Sequence, residues 1–490
     1  MLHIFTLQDL FMRVHNILIV CFFSVLILLS CKKEELLTSG GQIRFSTDTL
    51  TFDTVFTQLG SFTLGLKIFN TQDQKINLSS VRLQNGNSSF FRLNVNGISG
   101  NNIPDVELAA NDSVYVFATV KIDPNNDTIP FVIEDKLIAT LNGKEFSIPF
   151  IAYGQNAFYF VDTVISQNLD WYKGKPIVIM KNALVDKNVT LTIHEGTRVY
   201  VHADSRLFVE GTLKVKGTKT DSVVFQGDRL DRDYFGKFCC PGEWGGIYFT
   251  SNSKDNELNW TVIKNAGNST RLGNSSFYPA AIQLNGDSLS TGTQLRITNT
   301  IIQNSIGYGI LSFTGSLKMQ NCLIHDCGAQ ALAIVQGGKY EIDNCNFINY
   351  APKFVSHINE PTVAVLNYFE ISNTQYVVGN LIASFRNCLI YGTLENEFFA
   401  NKKDEALYNV TIDHCLIKTK DIPPAFVINS ASQFNQDPLF EDHTKLNFRV
   451  KDGSPLIDAG TEISLNPLTT DLDGESRIKG ATIDVGCYEK

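Results

Sequence analysis

The sequence predicts an all-β protein, most of it a parallel β-helix, and three observations carry that prediction. The first is a phrase that returns. Ile297-Thr298-Asn299-Thr300-Ile301-Ile302 is answered by Met319-Gln320-Asn321-Cys322-Leu323-Ile324, by Ile342-Asp343-Asn344-Cys345-Asn346-Phe347, by Phe385-Arg386-Asn387-Cys388-Leu389-Ile390 and by Ile412-Asp413-His414-Cys415-Leu416-Ile417. From Asn299 to Asn321 is 22 residues, to Asn344 another 23, to Asn387 a further 43 and to His414 another 27. A period near 22 with inserted loops is the mark of a solenoid. The second observation is that the other half of each repeat also echoes, Tyr308–Phe313 against Gln330–Val335, with Ile310 and Leu332 again 22 apart. The third is alternation. Apolar, β-branched and aromatic residues occupy every second position between Asn, Asp and Gly corners, which excludes helical repeats and demands strands.

In a parallel β-helix each turn bonds to the next at ~4.8 Å, and equal positions stack into ladders. Asn299, Asn321, Asn344 and Asn387 then form a corner ladder. Thr261, Thr300, Cys322, Cys345, Cys388 and Cys415 form an inward ladder of small side chains. The residue between two inward ones faces out, which draws a line through Val262, Ile301, Leu323, Asn346, Leu389 and Leu416. That line is either a contact strip for another protein or glycan or is covered by the insertion Tyr350 to Gly379, and cover is the favoured expectation.

At 490 residues the chain exceeds one ordinary core, but a solenoid turn needs only its neighbours. Net charge is −9, and no basic run is long enough to neutralise a phosphate backbone, so nucleic acid is not an expected partner. Ten cysteines raise the question of disulfides. Their ladder spacing argues for buried free thiols rather than a disulfide framework, with Cys239, Cys240, Cys327 and Cys487 left without assignment.

At the N-terminus, Met12-Arg13-Val14-His15-Asn16 is a cationic head, Ile17 to Leu29 an apolar run short for a bilayer, and Leu28-Leu29-Ser30-Cys31 its close. This resembles a bacterial lipoprotein signal over residues 1–30, with translation from Met12. The resemblance implies acylation of Cys31, a membrane partner through the lipid anchor, and an outer-membrane, cell-envelope location. Lys32-Lys33-Glu34-Glu35 resembles the tags of surface-exposed lipoproteins and equally suits a solvated tether over 31–41. Residues 42–155 alternate as seven or eight strands, which implies an antiparallel sandwich. The phrases Leu66-Lys67-Ile68-Phe69-Asn70, Phe91-Arg92-Leu93 and Leu108-Ala109-Ala110-Asn111-Asp112-Ser113 resemble immunoglobulin-like domains, which in bacterial surface proteins serve as spacers. Gln155 to Gly174 reads as a bridge.

From Pro176-Ile177-Val178-Ile179 onward, through Leu207-Phe208-Val209-Glu210-Gly211-Thr212-Leu213 and the repeats above, residues 172–435 resemble the right-handed parallel β-helix proteins of the pectin-lyase-like fold. About ten turns are expected. Beyond them, Asp437-Pro438-Leu439-Phe440, Asp452-Gly453-Ser454-Pro455-Leu456-Ile457-Asp458-Ala459-Gly460, Asp471-Leu472-Asp473-Gly474-Glu475-Ser476-Arg477 and Asp484-Val485-Gly486-Cys487-Tyr488-Glu489 resemble the C-terminal region of choice-of-anchor Q proteins. That resemblance implies that 436–490 cap the last turn.

Two candidate sites follow. Asp228, Arg229, Asp231, Arg232 and Asp233 either bind a cation or an acidic sugar, or pair with one another to hold a loop. Asp471 and Asp473 precede a glycine and could form a calcium turn, but the twelve-residue calcium loop is absent, so no cofactor is expected and calcium stays the one possibility. The catalytic sets of polysaccharide lyases and hydrolases do not emerge at the repeat spacing. The expected function is therefore a rigid binding or adhesion surface for a polysaccharide or a surface protein, with a lyase or glycoside hydrolase as the alternative.

Overall fold

The computed structural model of the protein describes residues 35–125, 130–230, 240–273, 275–287, 292–350, 354–372, 374–420, 424–463 and 468–490. Cys31 and the apolar run before it lie outside the described residues. Two compact units emerge, one from the N-terminal part up to Gln155 and one from Asn156 to Lys490.

The first unit is a sandwich of two five-stranded sheets. Ile43–Phe45, Leu64–Asn70, Ser113–Val120, Phe91–Val95 and Ile98–Ser99 make one, and Leu50–Phe56, Lys144–Gln155, Phe131–Leu141, Ile76–Leu83 and Asn102–Leu108 make the other. Alternate residues of both sheets point inward, where Phe91 meets Phe52 at 5.7 Å and Phe150 at 5.5 Å. One departure from the expected antiparallel order appears: Lys144–Gln155 pairs parallel with Leu50–Phe56.

The second unit is a parallel β-helix. A ten-stranded parallel sheet takes one strand from each turn, and an eighteen-stranded parallel sheet collects the others. The coil starts before the expected boundary, because Phe158–Ile165 and Leu169–Trp171 already pair parallel with Ile177–Val185 and Thr190–His194. What reads as a bridge between Gln155 and Gly174 is thus the first turn. Its alternation is short and its outward side keeps Phe158 and Val164 exposed, which obscures the pattern in sequence.

The two ladders stand where the repeat puts them. Amides hand each rung to the one before: Leu323 N–H donates to Thr300 O, Asn346 N–H to Cys322 O, Leu389 N–H to Cys345 O and Leu416 N–H to Cys388 O. Each inward hydroxyl or thiol also donates to the carbonyl two residues back, from Thr300 to Thr298 at 2.8 Å, Cys322 to Gln320 at 3.1 Å, Cys345 to Asp343 and Cys388 to Arg386 at 3.2 Å, and Cys415 to Asp413 at 3.4 Å. That shared bond explains why Thr and Cys alternate at one position: both are small, and both satisfy a carbonyl at the turn. Burial pushes the Cys345, Cys388 and Cys487 thiols far above their usual range. Since only thiolates react, the six described free cysteines are expected to ignore Ellman's reagent until guanidinium unfolds the coil, and fast native labelling would contradict the ladder. Cys240, left without assignment by the sequence, is disulfide-bonded.

The corner ladder uses left-handed backbone at Asn299 (φ 50°), Asn321 (60°), Asn344 (51°) and Asn387 (50°), with His414 (46°) ending it. Asn tolerates that region because its amide bonds locally. Here it bonds along the stack, Asn321 Nδ2 to Asn299 Oδ1 at 2.6 Å and Asn387 Nδ2 to Asn344 Oδ1 at 2.8 Å.

Candidate functional site

Each turn offers three outer faces, and the chain covers two of them. The first carries the line through Val262, Ile301, Leu323, Asn346, Leu389 and Leu416, which stack in register as the repeat requires. Leu323, Ile348, Leu389 and Leu416 share a buried apolar cluster with Phe440, Phe448, Leu456, Leu472, Val485 and Cys487. Asn346 Oδ1 accepts from Cys487 N–H at 3.1 Å, and Asn321 Nδ2 donates to Thr470 O at 3.3 Å. The cover is therefore the C-terminal segment and not the insertion Tyr350 to Gly379. That segment runs along the side of the coil, where its apolar residues remove the line from water.

The second face belongs to strands such as Tyr308–Phe313. Its outward Leu311, Ala333 and Ala364 stack and are all buried. The hairpin of Tyr368–Ser372 and Gln375–Val378, part of the insertion, lays Phe369 edge-on against Phe313 at 5.2 Å. A second hairpin, Thr270–Leu272 with Ser275–Phe277, sets Phe277 against Phe208 and Tyr248. Arg206 fastens its base, donating from Nε to Thr270 Oγ1 and from Nη2 to Tyr278 O, each at 2.6 Å. Burial pulls that guanidinium down to about 10.

The third face, the outside of the ten-stranded sheet, is polar. Two outward columns stack along it. One runs Glu257, Arg296, Lys318, Glu341, Ser384, Thr411; the other Asn259, Thr298, Gln320, Asp343, Arg386, Asp413. A depression of 530 Å³ opens here, lined by Arg296, Lys318, Gln320, Glu341, Asp343 and Arg386 among others. Lys318 pairs with Glu341 at 2.7 Å, and Arg386 grips Asp343 with Nε at 2.7 Å and Nη2 at 3.0 Å. The Asp343 bond raises the Arg386 guanidinium above its ordinary value. Gln320 Nε2 adds a 3.4 Å bond to Asp343. Arg296 and Lys339 make no ion pair among the described residues, so four cations face two carboxylates and the depression carries positive charge.

The residues predicted from sequence lie elsewhere. Asp228 accepts from His202 Nδ1 at 2.5 Å, a bond that raises the imidazole. Arg229 is exposed. Asp231, Arg232 and Asp233 lie outside the described residues. Asp471 is buried, and its two oxygens accept the backbone N–H groups of Asp473, Glu475 and Glu489 at 2.9, 2.8 and 2.9 Å. Asp473 meets Arg449 and, at 3.9 Å, Lys219. At this pair the first carboxylate organises a turn of the C-terminal segment, and the second is paired with cations. The sequence search looked for acids recurring at the repeat spacing, where Asp343 stands alone beside Gln320, and the mixed-charge columns do not follow that pattern. The positions one and three before each Asn show the charged columns directly.

Comparison with known proteins agrees with the coil. The model of the right-handed β-helix region matches residues 192–347 and 280–445, together more than half of the chain. No curated protein matches the sequence. Among solved structures, the chain is similar to a family 123 glycoside hydrolase from Clostridium perfringens at 10% identity, covering 26% of this chain and 26% of that one, with a TM-score of 0.18. It is also similar to the catalytic unit of the thermostable GH87 α-1,3-glucanase from Streptomyces thermodiastaticus strain HF3-3 at 10% identity, covering 76% of this chain and 89% of that one, with a TM-score of 0.29. With the stacked ladders, the parallel sheets and the family match in hand, the chain belongs to the right-handed β-helix family.

Proposed function

We propose that this is a lipid-anchored envelope protein whose open β-helix face binds an anionic glycan. The observation that carries the reading is that two outer faces bear apolar patches covered by the chain's own segments, while the third, among the described residues, is uncovered, polar and cationic at its depression. Stacked side chains on rungs ~4.8 Å apart give a row of donors for a long, repetitive ligand. The lipobox-like close at Cys31 supports attachment to the outer membrane, and the rigid coil would hold the row away from it.

The test is affinity electrophoresis of the full chain through gels containing polygalacturonate, with dextran as the neutral control. Retardation by polygalacturonate alone is expected. Arg296→Ala with Lys339→Ala should weaken it about tenfold at low salt, and the difference should shrink as salt rises. Equal retardation of variant and parent would remove the groove from the account. Release of reducing ends or unsaturated products would replace binding with catalysis.

A further inference from the structure

The sandwich is expected to be a spacer, yet one of its faces is not built like one. On the sheet of Ile43–Phe45, Leu64–Asn70, Ser113–Val120 and Phe91–Val95, the outward positions hold Arg44, Lys67, Phe69, Tyr115, Phe117 and Arg92, and no acidic residue. Tyr115 and Phe117 are 50% and 41% exposed on the central strand. Their rings lie parallel within 3°, centroids 5.7 Å apart. Across the register from Phe117 is Gly65, where an added Cβ would stand 3.2 Å from the Phe117 ring, so the glycine leaves that ring room to lie over the strand. Lys67 Nζ sits 4.5 Å above the Tyr115 ring, and the Arg44 guanidinium 4.2 Å from the Phe69 ring. Beside the rings is a depression of 740 Å³ whose walls include Thr63, Arg92, Asn94, Ser99 and Thr119.

The other sheet of the same unit behaves as an ordinary solvated surface. There Lys75 pairs with Glu107 at 2.6 Å and Arg82 with Glu145 at 2.9 Å. In a chain of net charge −9, a face with three cations, three aromatics and no acid is a concentrated exception. Exposed parallel rings bind flat groups with apolar faces, and unneutralised cations around them select negative charge. Pyranose rings bearing carboxylates or sulfates offer both.

We infer that this face is a second binding site, for an anionic polysaccharide whose sugar rings stack on Tyr115 and Phe117 while its acid groups meet Arg44, Lys67 and Arg92. The site is separate from the depression of the β-helix and stands without it. Affinity electrophoresis of the full chain against polygalacturonate, heparin, dextran and a single-stranded oligothymidylate tests it, with Arg296→Ala/Lys339→Ala as the background so that the β-helix depression does not mask the result. In that background, Tyr115→Ala/Phe117→Ala should lower affinity for at least one anionic glycan about tenfold and leave the guanidinium midpoint in place. Should losing Phe117 uncover Gly65 and unfold the sandwich, Tyr115→Ala alone and Lys67→Gln replace it, each expected to cost several-fold. Undiminished affinity in the folded variants, no binding of either anionic glycan by the parent chain, or tighter binding of the oligothymidylate than of both glycans would each overturn the inference. Full binding by the background variant together with loss in the face variants would retire the β-helix groove and keep this site.

Discussion

Replacing Glu397 with alanine is expected to lower stability by about 4 kcal/mol, the cost of leaving several buried donors without a partner. Its side chain is fully buried. One oxygen accepts from His357 Nε2 at 2.9 Å, Thr362 Oγ1 at 2.7 Å and Thr362 N–H at 3.1 Å, and the other from Leu394 N–H at 2.7 Å. His357 in turn receives Asn349 Nδ2 at 3.0 Å on its other nitrogen, and Asn349 Nδ2 reaches Cys327 O at 2.6 Å. This chain of bonds pins the inserted residues 354–362 to the turns on either side of it. Alanine strands every donor at once, whereas Glu397→Gln keeps the shape and one acceptor and should cost about half as much. Guanidinium unfolding followed by circular dichroism gives the two midpoints, and limited proteolysis should cut the alanine variant first within 354–362. Equal midpoints for alanine and parent would mean that water, not Glu397, satisfies these groups.

The second large effect is expected at Asn387. Alanine there should cost about 3 kcal/mol. The residue is buried at φ 50°. Its Nδ2 donates to Asn344 Oδ1 and to Thr461 O, each at 2.8 Å, while Oδ1 accepts from Thr461 N–H at 2.9 Å. One side chain thus holds a rung of the corner ladder and the C-terminal segment together. Asn387→Gly separates the two parts of the cost, because glycine accepts the left-handed backbone but makes none of the bonds. Glycine should recover about 1 kcal/mol of the loss. A glycine variant as stable as the parent would show that the amide bonds contribute nothing.

Much of the coil was legible because a solenoid writes its geometry into spacing. Asn at the corner, and Thr or Cys bonded to the carbonyl two residues back, repeat once per turn, so their positions in sequence translate into stacking without knowledge of anything distant. The same reading misassigned the cover of Leu323, Leu389 and Leu416. Which segment lies on an apolar line depends on matching two surfaces far apart in the chain, Leu323 against Phe448 and Val485, and no period connects them. The turn at Phe158–Ile165 was missed for a related reason: a first turn is stacked on one side only, so its pattern is half selected.

The charged columns of the candidate groove were present in the sequence as a row at Arg296, Lys318 and Glu341 and another at Gln320, Asp343 and Arg386. Their meaning was not, since a row of charges reads the same whether solvent or a covering segment lies over it. The repeat by itself determined the winding of the chain and which side chains look inward, because those follow from strand pleat and from contacts one turn away. Which outer face stays open was decided only by the folded C-terminal segment and the two hairpins, because burial of one surface by another is a property of the pair and neither partner's sequence contains it.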